Sequence, residues 1–274
     1  MAVLMFWNVG RREAGEAIGK LCREHDVDVL LLAEAETSSA RLVTEINDAM
    51  GSPRPLWEVL GFENRMRVFT RYAPGVVEPA SDSRYVKMLN LYPHVGLPLL
   101  IVAVHLPSKL WAEDRDQGHA IRQLRRDIVE QEERSGHQNT LVIGDLNMNP
   151  FEDALTAADG LHGVMDKTVA NRQPRVFQGQ KWDYFYNPMW SRLGDESSGP
   201  PGTYWHRDSG LVTHFWNTFD QVLLRPGLLP FYDSSRLVVP DHVDGRPILR
   251  HEGKDGDGLS DHLPVVIGLS IERE

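Results

Sequence analysis

A single cysteine, Cys22, stands in the whole chain. One thiol cannot close an internal disulfide, so no disulfide framework holds this fold, and a reducing compartment suits it. No Cys/His cluster with zinc spacing occurs either, which argues against a structural zinc site. Long apolar runs are missing too, and nothing approaches the ~20 residues that a membrane-crossing helix needs. The opening stretch Ala2 to Trp7 is too short for a signal-peptide core. It lacks a basic segment and runs straight into Asn8. The chain therefore reads as cytoplasmic. Positive charge is scarce: 29 lysines and arginines face 39 aspartates and glutamates, a formal net charge of -10. That balance disfavours a protein that coats nucleic acid by bulk attraction. It does not exclude a nuclease, because metal-binding carboxylates carry their charge until the metal arrives.

What is present is a patterned, core-forming chain of 274 residues, 41% of them hydrophobic. Strand-like runs occur at 2–8, 27–33, 56–60, 66–71, 85–91, 98–104, 140–144, 219–224 and 264–270. Helical periodicity marks 11–24, 40–50 and 113–134. In the first of these helices Cys22 shares an apolar face with Ala14, Ala17, Ile18 and Leu21, so its expected role is packing. Strand–helix–strand alternation followed by short strands suggests mixed sheets covered by helices. No repeat or long linker divides the chain. The candidate site residues run from Asn8 to His262 and must meet in space, so a single domain over 1–274 is expected.

Polar groups gather at strand ends. Asn8 ends Val3 to Trp7, and Glu34 ends Val29 to Ala33. Gly144-Asp145-Leu146-Asn147 follows Leu141-Val142-Ile143, and Leu259-Ser260-Asp261-His262-Leu263-Pro264 precedes Val265-Val266-Ile267. Carboxylates and carboxamides delivered by several strand ends are what a hard divalent cation requires. Taken singly, each has a plainer reading. Asp145 would be a turn or helix cap, Asn8 a helix start near Arg11, and Asp261-His262 a surface turn. Asp220 inside an apolar strand is harder to explain that way, since a buried charge needs a partner. Lys254-Asp255-Gly256-Asp257-Gly258 suggests a calcium loop until Leu259 breaks the alternation, leaving a flexible loop. From 166 to 217 regular patterning fades and aromatics crowd in, among them Trp182, Tyr184, Phe185, Tyr186, Trp190, Tyr204, Trp205, Phe215 and Trp216. These rings either pin a long loop to the body or form a stacking wall for a flat group.

Asn8, Glu34, His105-Leu106, Gly144-Asp145-Leu146-Asn147, Phe219-Asp220-Gln221-Val222-Leu223 and Ser260-Asp261-His262-Leu263-Pro264 occur in one order along nearly the whole chain. Together they resemble the endonuclease/exonuclease/phosphatase superfamily. The resemblance implies an α/β (α+β) four-layer sandwich, two mixed β-sheets packed face to face and flanked by helices. It also implies Mg2+ or Mn2+ and in-line attack of water on a phosphorus ester. On that resemblance Glu34 is the main metal ligand, completed or oriented by Asn8 and Asp261. Asp145 positions or deprotonates the water, and Asn147 hydrogen-bonds the phosphate or the nucleophile. His262 contacts a phosphoryl oxygen or acts as a base, with Asp220 fixing its imidazole, and His105 is a second phosphate contact or a general acid.

Arg65, Arg67, Arg84 and Lys109 are further candidates for phosphate contacts, Lys109 foremost because it lies four residues beyond His105. The favoured substrate is nucleic acid, single-stranded or end-bearing. Two alternatives stay open: an enzyme for a small phosphorylated metabolite, nucleotide or lipid headgroup, and a catalytically idle interaction protein on the same fold.

Overall fold

The computed structural model describes residues 1–61, 66–108, 114–172, 174–206, 210–211, 213–249 and 258–271. Eight strands are used below by label. They are β1 (Ala2–Asn8), β2 (Val29–Ala33), β3 (Trp57–Glu58), β4 (Met66–Thr70), β5 (Val77–Asp82), β6 (Val86–Leu91), β7 (Leu99–His105) and β8 (Thr140–Asp145). Three helices carry most of the helical content: α1 (Gly15–Glu24), α2 (Ser39–Met50) and α3 (Asp114–Ser135). The first sheet has six strands in the order Tyr232–Val238, Val265–Leu269, β1, β2, β4, β3. The second has seven, in the order β5, β6, β7, β8, Asp220–Leu224, Phe185–Tyr186, Gly163–Val164. Both sheets are mixed. β1 and β2 run parallel across α1, and β7 and β8 run parallel across α3, as helical crossovers permit.

Alternation along each strand explains the layering. Ala2, Leu4 and Phe6 of β1 share a core with Leu99, Ile101 and Ala103 of β7, Leu141 and Ile143 of β8, and Val222. This is the interior between the two sheets. Val3, Met5 and Trp7 point the other way and pack against Ile18, Leu21 and Cys22 of α1 and Leu42 and Ile46 of α2. Leu100, Val102 and Val104 of β7 do the same with Ile121, Leu124 and Ile128 of α3. Because both faces of these strands are covered, they read in sequence as continuous apolar runs. Burying each large aliphatic or Phe side chain contributes about 1.5–3 kcal/mol. A one-residue slip would exchange the two faces, so the register is strongly held. The expected sandwich is the observed one.

Two expectations need correction. The helix predicted from residue 11 begins at Gly15, because Arg11 takes a left-handed backbone (φ 62) that a helix cannot contain. Three edge strands, β5, Gly163–Val164 and Tyr232–Val238, escaped the sequence reading. In β5 only Val77 is buried, and in Tyr232–Val238 only Tyr232 and Leu237 are. Among the described residues, no helix is long and apolar enough to cross a membrane.

Candidate active site

The sandwich places polar residues where its core reaches the rim. His105 on β7 and Asp220 on its strand are both in register with Asp145 on β8, so the three stand side by side. Each continues the alternation that carries Ala103, Ile143 and Val222 into the inter-sheet core. Asn8 continues Leu4 and Phe6 in the same way from the facing sheet. Strand period and register thus aim four polar side chains into one space at the end of the core. One row back, Gly144 (φ 146) must be glycine, since a Cβ there would stand 2.0 Å from the Val104 carbonyl oxygen.

Turns complete the site. Glu34 (φ 54) and Asn147 (φ 52) follow their strands in left-handed conformation. Asparagine tolerates that region, whereas glutamate pays about 1–2 kcal/mol for it. The Glu34 turn is pinned by the amides of Val9 and Arg11, which donate to the carbonyls of Ala33 and Glu34 at 3.1 Å each. The segment before Val265 runs antiparallel to β1 and so arrives beside its end. There Ser260 Oγ donates to the Asn8 carbonyl (2.8 Å) and accepts from the His262 amide (3.0 Å). Trp7 Nε1 donates to the His262 carbonyl (2.9 Å).

A chain of hydrogen bonds links the groups. Asp145 accepts from Asn8 Nδ2 on one oxygen (3.2 Å) and from the Asn147 amide on the other (2.9 Å). Asn147 Nδ2 donates to the Leu106 carbonyl (2.8 Å). His262 Nδ1 lies 2.9 Å from Asp220 Oδ2, and its Nε2 lies 3.9 Å from Asp145. His105 Nε2 stands 3.5 Å from Glu34 and 3.9 Å from Asp145. Burial opposes charge on His262, but Asp220 and Asp145 outweigh it and the imidazole is pushed up to about 10. The Asp145 carboxyl is raised by burial and by Asp220, with His262 opposing. The Glu34 carboxyl is lowered, chiefly by its hydrogen bond with His105.

These groups open into a cleft of about 750 Å3 lined by Asn8, Glu34, His105, Asp145, Asn147, Asp261 and His262, among others. Asp220 lies behind His262, fully buried. Every predicted site residue except Lys109 is therefore brought to one place; Lys109 and Arg65 lie outside the described residues, as does most of the Lys254–Gly258 loop. Of the other basic candidates, Arg84 lines the cleft with its guanidinium over Tyr85, while Arg67 is held in a fork by Glu58.

A family model described as "Endonuclease/Exonuclease/phosphatase family" matches residues 5–262. The chain belongs to that family. Its members are divalent-metal-dependent phosphoester hydrolases. No curated protein sequence matches the chain. Among solved structures, an AP endonuclease from Archaeoglobus fulgidus is similar at 12% identity and TM-score 0.55, over 99% of this chain and 100% of that one. A humanized D. rerio TDP2 carrying 14 mutations aligns at 16% identity and TM-score 0.53, over 97% of each chain. A family protein from Bacteroides thetaiotaomicron aligns at 12% identity and TM-score 0.55, over 97% of this chain and 96% of that one. At these identities the likeness establishes the fold.

The family's divalent cation suits the donors this chain offers. Glu34, Asp145 and Asp261 bring hard carboxylate oxygens to the cleft, and the Asn8 carboxamide lines it with them. Asp145, Asp220 and His262 also form a tight three-group cluster, their ligand atoms within 4.8 Å of one another. One buried oxygen of Asp220 has no hydrogen-bond partner among the described residues.

Sequence reasoning missed several contributors. Arg11 lines the cleft and reaches Glu34 (3.5 Å) and Glu36 (3.4 Å); its signal was its place three residues beyond Asn8. The aromatic segment divides. Phe185 and Tyr186 form a buried strand, and Trp182 lies against Arg125. Tyr204 alone of the aromatics named from that segment lines this cleft, stacked on Phe219 (5.2 Å) and tilted over His262 (4.6 Å).

Proposed function

We propose that this protein is a Mg2+- or Mn2+-dependent phosphodiesterase that hydrolyses nucleic acid by in-line attack of water, favouring single-stranded or end-bearing substrates. The observation that carries the reading is the buried Asp220–His262 pair standing beside Asp145 in the cleft that Glu34 enters. When bound, the metal neutralises phosphate charge and stabilises the leaving oxygen. Glu34 and Asp261 would hold it with Asn8, because Asp220 is already committed to His262 and lies fully buried behind it.

The chain's own groups account for the rest. Asp145, oriented by Asn8 and the Asn147 amide, positions the water and accepts its proton as the new P–O bond forms and the ester P–O bond breaks. His262, held as an imidazolium by its two carboxylate neighbours, donates from Nε2 to a phosphoryl oxygen instead of acting as a base. Asp220 positions it. His105 supplies a second phosphate contact or the proton for the leaving oxygen, and Asn147 a further hydrogen bond.

A polymer suits the shape. The cleft adjoins a hollow of about 560 Å3, and the two share Arg11, Glu34 and His105, so the groove runs past the reacting centre. Tyr204 and Phe219, stacked on each other, bring aromatic surface to the cleft wall, where an unpaired base would pack. A small phosphorylated metabolite, nucleotide or lipid headgroup is the second reading, favoured by the acidic charge balance. Purified protein is to be incubated with single-stranded DNA, RNA, duplex DNA, nucleotides and phospholipid headgroups in Mg2+, Mn2+ or EDTA. Chelator-sensitive cleavage of single strands supports the proposal; turnover of small esters alone would replace it with the second reading.

A further inference from the structure

A second hollow, of about 460 Å3, lies next to the cleft and is lined by Asn149, Phe151, Asp195, His214 and Trp216, with Leu193, Gly194 and Pro201 completing its described wall. Its two aromatic sides are continuations of the segments that carry the reaction centre. Phe151 stands four residues beyond Asn147, and Trp216 four residues before Asp220. A hydrogen-bonded pair stands between cleft and hollow. Asn149 Nδ2 donates to Asn217 Oδ1 (2.9 Å), Asn149 Oδ1 accepts from the Thr218 amide (2.9 Å), and Asn217 lines the cleft itself. The hollow is thus set off from the cleft by the Asn149–Asn217 pair, one residue on each side.

The lining says what that occupant is. Phe151 meets His214 and Trp190 edge to face, at 5.8 and 6.4 Å, and remains 43% exposed, so ring surface is left for a flat ligand. No lysine or arginine lines the hollow among the described residues, and the one carboxylate, Asp195, repels a phosphate. An uncharged planar group fits, and Asp195 accepts a hydrogen bond from an amino group on it. We infer that the Phe151–His214–Trp216 hollow is a nucleobase subsite, holding an unpaired, amino-bearing base of the substrate strand next to the reacting phosphate. It rests on the nucleic-acid reading above and adds to it where the strand runs and which bases are preferred.

The test compares the wild-type protein with Phe151→Ala and Asp195→Asn, none of the altered groups being in the reaction centre. Turnover is measured with Mn2+ on short single-stranded oligonucleotides in which one position at a time is abasic, and on bis(p-nitrophenyl) phosphate. Binding of the same oligonucleotides is measured by fluorescence anisotropy in EDTA. A lost base stack corresponds to roughly a ten- to hundred-fold weakening. Phe151→Ala is expected to raise KM and Kd for oligonucleotides by that factor and to leave bis(p-nitrophenyl) phosphate turnover unchanged. A single abasic position should reproduce the loss in the wild type and abolish the effect of Phe151→Ala. Asp195→Asn should reduce the preference for adenine or cytosine over thymine at that position. Equal oligonucleotide KM and Kd in wild type and Phe151→Ala would overturn the subsite while leaving the nuclease reading standing. Phe151-dependent binding without any cleavage would overturn the nuclease reading and support the subsite. Neither binding nor cleavage would overturn both.

Discussion

Asp220→Asn isolates the electrostatic heart of the site. The substitution keeps the side chain's shape and an oxygen to accept from His262 Nδ1, and it removes one fully buried negative charge. His262 then retains Asp145, at 3.9 Å from its Nε2, as its nearest carboxylate. An opposite charge at such distances moves a pKa by about 1–3 pH units. The imidazole, pushed up to about 10 in the wild type, should therefore titrate lower by that amount in the variant. The stability consequence has a definite sign. With its folded pKa above the unfolded value near 6.5, His262 stabilises the fold fully below that pH. The contribution is lost as pH rises through about 10. Removing one partner of a buried pair costs about 3–5 kcal/mol. Asp220→Asn should show a deficit of that order in urea unfolding near pH 6, shrinking as pH rises toward ~10, where the wild type loses the same proton. Long-range 1H–15N spectra of the imidazole in EDTA follow the titration directly. A wild-type His262 titrating near 6.5, or an unchanged value in the variant, would refute the reasoning.

Other perturbations read other parts of the molecule. Glu34→Ala should abolish metal-supported turnover with an unchanged circular dichroism spectrum; near-wild-type activity would remove Glu34 from the metal site. Gly144→Ala drives a Cβ to 2.0 Å from the Val104 carbonyl oxygen and should lower stability by about 1–3 kcal/mol or more in urea titration, whereas an unshifted midpoint would deny the close approach. Arg11→Gln should raise KM for oligonucleotides about tenfold, the worth of a charge-assisted hydrogen bond, and flatten their salt dependence. The melting temperature should hardly move, because the Arg11 side chain is 69% exposed and its ion pairs are screened. The Cys22 thiol, buried and pushed up to about 12, should react with a disulfide reagent at pH 8 only after denaturant is added.

How much of this was legible in the sequence depended on burial. β1, β2, β7 and β8 announced themselves because both faces are covered, and the order of motifs located their ends. β5, with Pro79 and four exposed residues, is an edge strand whose stability comes from pairing with β6, which no local pattern reveals. The site was legible as a set of residues and illegible as a set of bonds. Asn8 was readable either as a turn former or as a site group, and it is both: Oδ1 accepts from the Gly10 amide (3.1 Å) while Nδ2 reaches Asp145. His262 is buried and Asp261 beside it is exposed, a division set by the long-range Ser260 and Trp7 hydrogen bonds. Arg11 went unnoticed because periodicity assigned it to a helix. Phe151 went unnoticed because its partners, His214 and Trp190, lie far away in sequence.

The central claim is that Asp145, His262 and Glu34 form a metal-dependent hydrolytic centre, and a generic diester tests it without prejudging the natural substrate. The measurement is kcat for bis(p-nitrophenyl) phosphate with Mn2+, in wild type and Asp145→Asn, before and after EDTA. The account predicts wild-type turnover that EDTA stops and added Mn2+ restores, and a fall of about 100-fold or more in Asp145→Asn with the fold retained. Turnover that survives EDTA, or an Asp145→Asn variant as active as the wild type, would contradict it.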